Sequence, residues 1–305
     1  MPNAVVAVGL VVLWSSGFVG AELGTREASA DTLLMWRFLV ATALLGGGWL
    51  LLRRRWLPRR AVGEQILIGL LAQGVYVGSV VWAVGLGVPL GTAALIAALQ
   101  PLAAATLAGR LLGDPATGRQ WAGLGAGLAG VVLVVQDDVA ITAEAPSWAY
   151  VLPFTGMAGL LAASFLERRA RVPVSPVDAL PVHCATSAVT FTLVATVAGR
   201  ATPPSGGEFW VAVAWVVVLS TAGAYGCYLL SLRRFGVTHT SALIYLTPPT
   251  TALWAYLMFG DALSMPVVLG MAVCLSGVLT ATVPPRPAVM LRRRMASARG
   301  IGRRT

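Results

Sequence analysis

Very few side chains in this sequence could act on a covalent bond. There are two histidines, His183 and His239, and three cysteines, Cys184, Cys227 and Cys274, with no CxxC, no HExxH and no Ser, His and Asp at matched depth. Metal-assisted and nucleophilic catalysis both need ligands or a nucleophile–base pair at defined spacing, and none is present. The expectation is no catalytic residue, no metal site and no cofactor. What the sequence does set at telling positions is a sparse group of hydroxyl, amide and aromatic side chains inside long apolar runs: Trp14, Ser15, Ser16 and Phe18, Gln73 and Tyr76, Gln100, Tyr225 and Tyr228, Tyr245 and Thr247. Polar groups are costly to leave unpaired in hydrocarbon, so they must turn inward. There they either hydrogen-bond a small molecule or join helices to one another.

The elements that position them are helices in a membrane. Hydrophobic residues make up 57% of the 305, charged residues 11%, and mean hydropathy is +0.79. A spanning helix needs about 20 mostly apolar residues. Ten such runs can be drawn: 4–24, 32–52, 66–86, 90–112, 119–136, 147–166, 180–199, 209–232, 238–259 and 264–283. They are continuous rather than alternating, which excludes the short strands of a membrane β-barrel. The first run lacks a basic leader and is too long for a signal-peptide core, so it reads as a retained helix. The expected fold class is all-α integral membrane, with no room left for a soluble catalytic domain.

All 22 basic residues are arginine. Nineteen of them fall at one set of run ends: Arg53–Arg55, Arg59 and Arg60; Arg110 and Arg119; Arg168, Arg169 and Arg171; Arg233 and Arg234; and seven beyond residue 285. Basic loops stay in the cytoplasm, so both termini are expected inside. A net charge of +10 distributed this way does not form a nucleic-acid-binding face. The basic tail, residues 286–305, reads as an anchor on anionic membrane lipid.

Shifted by 147 residues, the chain overlies itself. Pro101 meets Pro248, Gly113-Asp114 meets Gly260-Asp261, Gly123 meets Gly270, and Gly130-Val131 meets Gly277-Val278; ten of the 33 positions from 99 to 131 are identical. Upstream, Phe18 meets Phe165 and Asp31 meets Asp178. The chain divides into two five-helix units, 1–146 and 147–285. Five spans is an odd number, so the second unit must enter the membrane inverted, which is a transporter architecture. Pro101, Pro248 and Pro249 lie near the middle of their runs. Proline removes a helical hydrogen bond, and freed backbone at membrane depth is tolerated only against protein or a water-filled cavity. The prolines are therefore candidate hinges beside a central site.

Arg37 lies just inside a helix, with Glu22 as a candidate partner in a gating or structural role. His183, near the cytoplasmic start of its run, reads as an interfacial histidine in a gating or structural role, or as a proton-linked one. Asp31 and Asp178 read as N-caps. Gly74-x-x-x-Gly78 and Gly123-x-x-x-Gly127 permit close helix contact, either within the bundle or in a homodimer. Trp254 faces either the bundle or lipid.

The segments LWSSGFVGAELG (13–24), WRFLVATALL (36–45), ALIAALQPLAAATLAGRLLGD (94–114), GLLAASFLERR (159–169) and SALIYLTPPTTALWAYLMFGDALSMPVVLGMAVCLSGVL (241–279) resemble the EamA-type ten-helix branch of the drug/metabolite transporter superfamily. The family often has Glu where this chain has Asp114 and Asp261, and a basic residue near Glu22. The resemblance implies helices around a central cavity and export of small metabolites, amino acids or drugs from a bacterial inner membrane. The absence of a mid-run carboxylate disfavours a cationic drug, and a single off-centre arginine disfavours a multiply charged anion. A neutral or zwitterionic, amino-acid-like substrate is expected, moved by alternating access. The rival class is a membrane-embedded or lipid-modifying enzyme.

Overall fold

The computed structural model describes residues 2–52, 57–88, 90–112, 115–140, 145–259 and 264–282. Arg53–Arg55, Asp114, Asp261 and the basic tail, which carried expectations above, lie outside these residues. Among the described residues the chain is helical, with no strand. In order the helices are α1 (Asn3–Glu27), α2 (Ala30–Leu51), α3 (Arg59–Gly85), α4 (Leu90–Ala97), α5 (Gln100–Leu112), α6 (Gly118–Ala140), α7 (Val151–Arg169), α8 (Pro176–Val197), α9 (Gly207–Ile244), α10 (Thr247–Phe259) and α11 (Met265–Thr282). Among the described residues seven spans are long and apolar enough to cross a bilayer: α1, α2, α3, α7 with the short turn before it, α8, α9 and α11. The protein is a multi-pass membrane protein.

The prolines break their runs. Instead of one helix over 90–112, α4 ends at Ala97 and α5 begins at Gln100; instead of one over 238–259, α9 ends at Ile244 and α10 begins at Thr247. Pro101 and Pro248 cannot donate to the carbonyls one turn back, so the chain tightens just before them. Leu99 N–H donates to Ile96 O at 3.1 Å, and Leu246 N–H to Leu243 O at 3.0 Å. The next helices then restart with Ala103 N–H to Leu99 O at 3.2 Å and Thr250 N–H to Leu246 O at 3.1 Å. Every member of the first break is 147 residues from its counterpart in the second.

Two wide, π-helical turns obey the same shift. Leu70–Val75 in α3 falls, on adding 147, within Val216–Ala224 in α9. Such bulges are rare and are often found at functional sites. A third lies at Thr42–Gly46 in α2. Further along α9, Gly236 adopts φ 80° and ψ 178°, a left-handed-side conformation that favours glycine, and so separates the two runs drawn at 209–232 and 238–259.

The N-caps are serines rather than the expected aspartates. Ser29 Oγ accepts from Thr32 N–H and Ser175 Oγ from Asp178 N–H, each at 3.3 Å. A capping hydroxyl of this kind is worth about 1 kcal/mol. Asp31 and Asp178 sit in the first turns, where they complement the helix dipole. Each also accepts an indole N–H from another helix: Trp82 on Asp31 at 2.6 Å, and Trp49 on Asp178 at 2.9 Å. Arg200 pairs with Asp31 at 2.9 Å.

The glycines of α6 and α11 make a backbone-to-backbone contact. Gly123 lies against Gly277, and Gly130 against Gly270 and Cys274. Low numbers meet high ones, so these two helices run antiparallel. The Gly123-x-x-x-Gly127 motif is thus used inside the bundle. Gly78 lies against Phe191, also inside, whereas Gly74 meets only the side chain of Leu70 on its own helix.

Candidate substrate-binding site

One inward face of each of two helices builds a cavity. On α1 the residues are Trp14, Gly17, Phe18 and Ala21; on α3 they are Gln73, Tyr76, Val77, Val80 and Val81. Both sets follow the three- and four-residue spacing that keeps side chains on one side of a helix. Arg37 from α2 and Ser220 and Tyr225 from α9 complete the wall. About 480 Å³ there, open solvent included, is not filled by protein atoms. Most of it is too thin for a water, which leaves room for only a few, so this conformation is narrow. Gln73 and Ser220 occupy equivalent places in the two wide turns, separated by 147 residues.

Arg37 is 4% exposed. Its Nε–H donates to Thr221 Oγ1 and its Nη2 to Ser220 Oγ, both at 3.0 Å. Thr221 in turn donates to Val216 O at 3.0 Å, across the wide turn. The guanidinium carbon lies 5.3 Å from the centre of the Phe38 ring. Among the described residues no carboxylate lies within 4 Å of Arg37. The expected partner, Glu22, instead pairs with Arg26 one turn along the same helix. Gly17 makes room for this arrangement, since a β-carbon there would lie 2.7 Å from Ser220 Oγ.

Two polar groups on the same cavity wall are unspent. Gln73 is 1% exposed, yet neither its amide nitrogen nor its amide oxygen has a hydrogen-bond partner, and the Tyr225 hydroxyl has none either. Buried polar atoms are normally satisfied. The aromatic floor is continuous. Trp14 donates to the Tyr76 hydroxyl at 3.2 Å, and its ring lies 5.7 Å from Tyr76, 6.3 Å from Tyr225 and 4.9 Å from Tyr228. Tyr228 is fixed from behind by the Ser164 hydroxyl. Trp14, Phe18 and Tyr76 also border a narrow packing gap, too small for a water, whose other walls are Ala97, Ile244, Thr247 and Pro248. Three of the cavity's residues therefore reach both helix breaks.

Other sequence candidates lie elsewhere. Ser15 donates to Val11 O at 2.7 Å and to Thr247 O at 3.2 Å, joining α1 to α10. Ser16 donates to Leu13 O at 2.6 Å, and its own carbonyl accepts from Trp215. Both serines tie backbone rather than line the cavity. Gln100 and Pro101 are buried at the first break, with the Gln100 nitrogen unpartnered. Tyr245 and Pro249 are buried at the second break, with Tyr245 packed on Gly127. Trp254 donates to Val12 O at 3.2 Å and so faces α1 rather than lipid alone.

His183 is buried within the bundle. It is 0% exposed, with its backbone only 2.7 Å from where a β-carbon on Gly69 would sit. The missing side chain at Gly69 lets α8 approach α3 closely enough to bury the ring. Its Nε2 lies 2.7 Å from Gln65 Oε1, and Gln65 Nε2 donates to Glu167 Oε2 at 3.2 Å. Arg233 donates to Glu167 Oε1 at 2.9 and 3.3 Å. The imidazole also meets the Tyr225 ring edge-on at 5.8 Å. This cluster thus backs the aromatic floor at the end of the bundle that carries Arg168, Arg169 and Arg171. Sequence reasoning missed Gln65, Glu167 and Arg233, along with Ser220 and Thr221.

The cavity is thus walled by helices from both halves of the chain. The chain belongs to the EamA-like transporter family, which matches residues 1–136 and again residues 148–283. It is 25% identical over 288 residues to the "uncharacterized inner membrane transporter YedA" of Escherichia coli K12, covering 92% of each chain. It is 26% identical over 272 residues to the "probable terminal-alkyne amino-acid exporter" of Streptantibioticus cattleyicolor, covering 88% of this chain and 89% of that one. A solved crystal structure shares the fold with a TM-score of 0.73 at 22% identity, covering 92% of this chain and 96% of the other.

Proposed function

We propose that the protein exports a small neutral or zwitterionic, amino-acid-like metabolite across a bacterial inner membrane by alternating access, without enzymatic chemistry. The observation that carries this reading is the pairing of unpartnered Gln73 and Tyr225 in one cavity with helix breaks at Ala97 and Ile244 in the space adjoining it. A closed, half-satisfied site next to two hinges suits a carrier that waits for a ligand. The inner-membrane setting draws on the name of the Escherichia coli relative, and the amino-acid class on that of the Streptantibioticus one.

In this reading ten spans form two inverted five-helix repeats, 1–146 and 147–285, with both termini and the 286–305 tail in the cytoplasm. The 147-residue register of the breaks and wide turns supports the duplication, as does the double match to the family. The antiparallel course of α6 and α11, which occupy equivalent places, supports the inversion. Pro101, Pro248 and Pro249 act as hinges, and the Glu167–Arg233 contact with His183 and Gln65 closes the cytoplasmic end. Among the described residues no acid lines the cavity to carry a proton, which favours facilitated export over proton antiport.

An aromatic floor also attracts cations, which favours cationic drugs as the second reading; Arg37 opposes it. The test is an untargeted comparison of extracellular metabolites from cells with and without the protein. Accumulation of amino-acid-like compounds supports the first reading, and unchanged metabolites with lowered dye retention support the second.

A further inference from the structure

Arg37 is a cation buried on the wall of the cavity with no acid beside it among the described residues. Such a charge is costly unless something pairs with it. Two of its nitrogens are already fixed by Thr221 and Ser220, so the guanidinium is held in place before any ligand arrives. Gln73, unpartnered at both ends of its amide, and the free Tyr225 hydroxyl line the same cavity. An arginine serving only to join helices would be spent on its protein contacts, and its neighbours would be satisfied.

We propose that Arg37 is the anchor for a carboxylate of the transported molecule, so that the substrate class is an α-amino acid with its carboxylate free rather than a neutral metabolite. This rests on the export reading above and sharpens it. The carboxylate neutralises Arg37, because guanidinium and carboxylate geometries match. The α-ammonium stays close to that same carboxylate, which it shares with Arg37, and it needs acceptors besides. Gln73 Oε1, the Tyr225 hydroxyl and the faces of Trp14 and Tyr76 supply them. Arg37 comes from α2, Gln73 from α3 and Tyr225 from α9, so one bound zwitterion ties together segments of both sequence repeats. A molecule lacking the carboxylate leaves the arginine unpaired and, if it carries an amine, brings a second positive charge beside it.

The test uses the full-length protein in proteoliposomes with neutral L-amino acids, their carboxamides and their methyl esters. Wild type is expected to transport acids at least about 10-fold better than the matched amides, as loss of a charge-assisted contact implies. Arg37→Gln is expected to raise KM for acids by about 10- to 100-fold while shifting KM for amides by much less, and Arg37→Lys to restore part of the preference. Ser220→Ala keeps the charge but loosens its orientation, so it is expected to weaken the acid preference by a few-fold in a folded protein. Equal transport of acids and amides by wild type overturns the assignment while leaving amino-acid-like export standing. So does a parallel loss of both substrates in Arg37→Gln, accompanied by an unchanged preference in Ser220→Ala. Transport of no amino acid or amide by wild type removes the export reading and this assignment together.

Discussion

A β-carbon on Gly123 would lie 2.6 Å from the Gly277 carbonyl oxygen, and one on Gly277 would lie 2.7 Å from the Gly123 carbonyl oxygen. The contact is reciprocal and is made by backbone on both sides, so it cannot yield by turning a side chain. Seven residues along each helix it recurs between Gly130 and Gly270, which are the 147-residue equivalents of Gly277 and Gly123. Two copies of one sequence pattern thus pack against each other antiparallel, through the positions that pattern keeps as glycine.

Gly277→Ala is accordingly expected to destabilise the protein by about 1–3 kcal/mol, because an added methyl would lie 2.4 Å from Gly127 N. Gly125→Ala on the same helix as Gly123 meets open space and should be nearly neutral. Thermal unfolding of the two detergent-purified variants makes the comparison; equal midpoints would contradict the packing.

The Glu167–Arg233 contact predicts a coupled pair. Glu167→Ala and Arg233→Ala should each cost about 1–3 kcal/mol, and the double variant should cost clearly less than their sum. Additive losses would show that the two side chains do not act on one another. If the pair also latches one end of the bundle, each single variant should speed thiol labelling of a cysteine placed at Gln65.

Orientation is tested by cysteine labelling. With Cys184, Cys227 and Cys274 replaced, Ser205→Cys should react with a membrane-impermeant thiol reagent from outside intact cells, and Arg59→Cys should not. Both positions are exposed. Labelling at 59 would overturn the assignment of sides.

Pro101→Ala and Pro248→Ala should each insert and fold yet slow transport. Restoring an N–H lets the Ala97 and Ile244 carbonyls regain helical donors, which stiffens the breaks. Wild-type flux in the double variant would reduce the prolines to packing kinks.

The breaks were legible in sequence because proline's missing N–H is covalent and local, and because it recurs at one fixed shift. Trp14, Phe18, Gln73, Tyr76 and Tyr225 were legible as cavity candidates because polar or aromatic groups in an apolar helix must face inward. Ser220 and Thr221 looked like ordinary small residues in an apolar run. Only the pairing of Ser220 with Gln73 under the 147-residue shift could have singled one of them out. Glu22 was paired with Arg37 by depth alone, whereas Arg26, one helical turn away, reaches it at far lower conformational cost. The burial of His183 is not legible from its position in the run, because it comes from the approach of α8 to Gly69, a tertiary fact. The N-caps were misassigned by two or three residues because Ser and Asp both favour helix starts, and the choice depends on which oxygen reaches an N–H.

The central claim is that this cavity carries an amino-acid-like molecule across the membrane. Proteoliposomes preloaded with labelled neutral L-amino acids, a quaternary ammonium dye or a sugar nucleotide test it most directly. Saturable efflux of amino acids, dependent on the protein and slowed by Gln73→Leu, is the predicted result. Robust efflux of the dye or the nucleotide, with none of any amino acid, would contradict it.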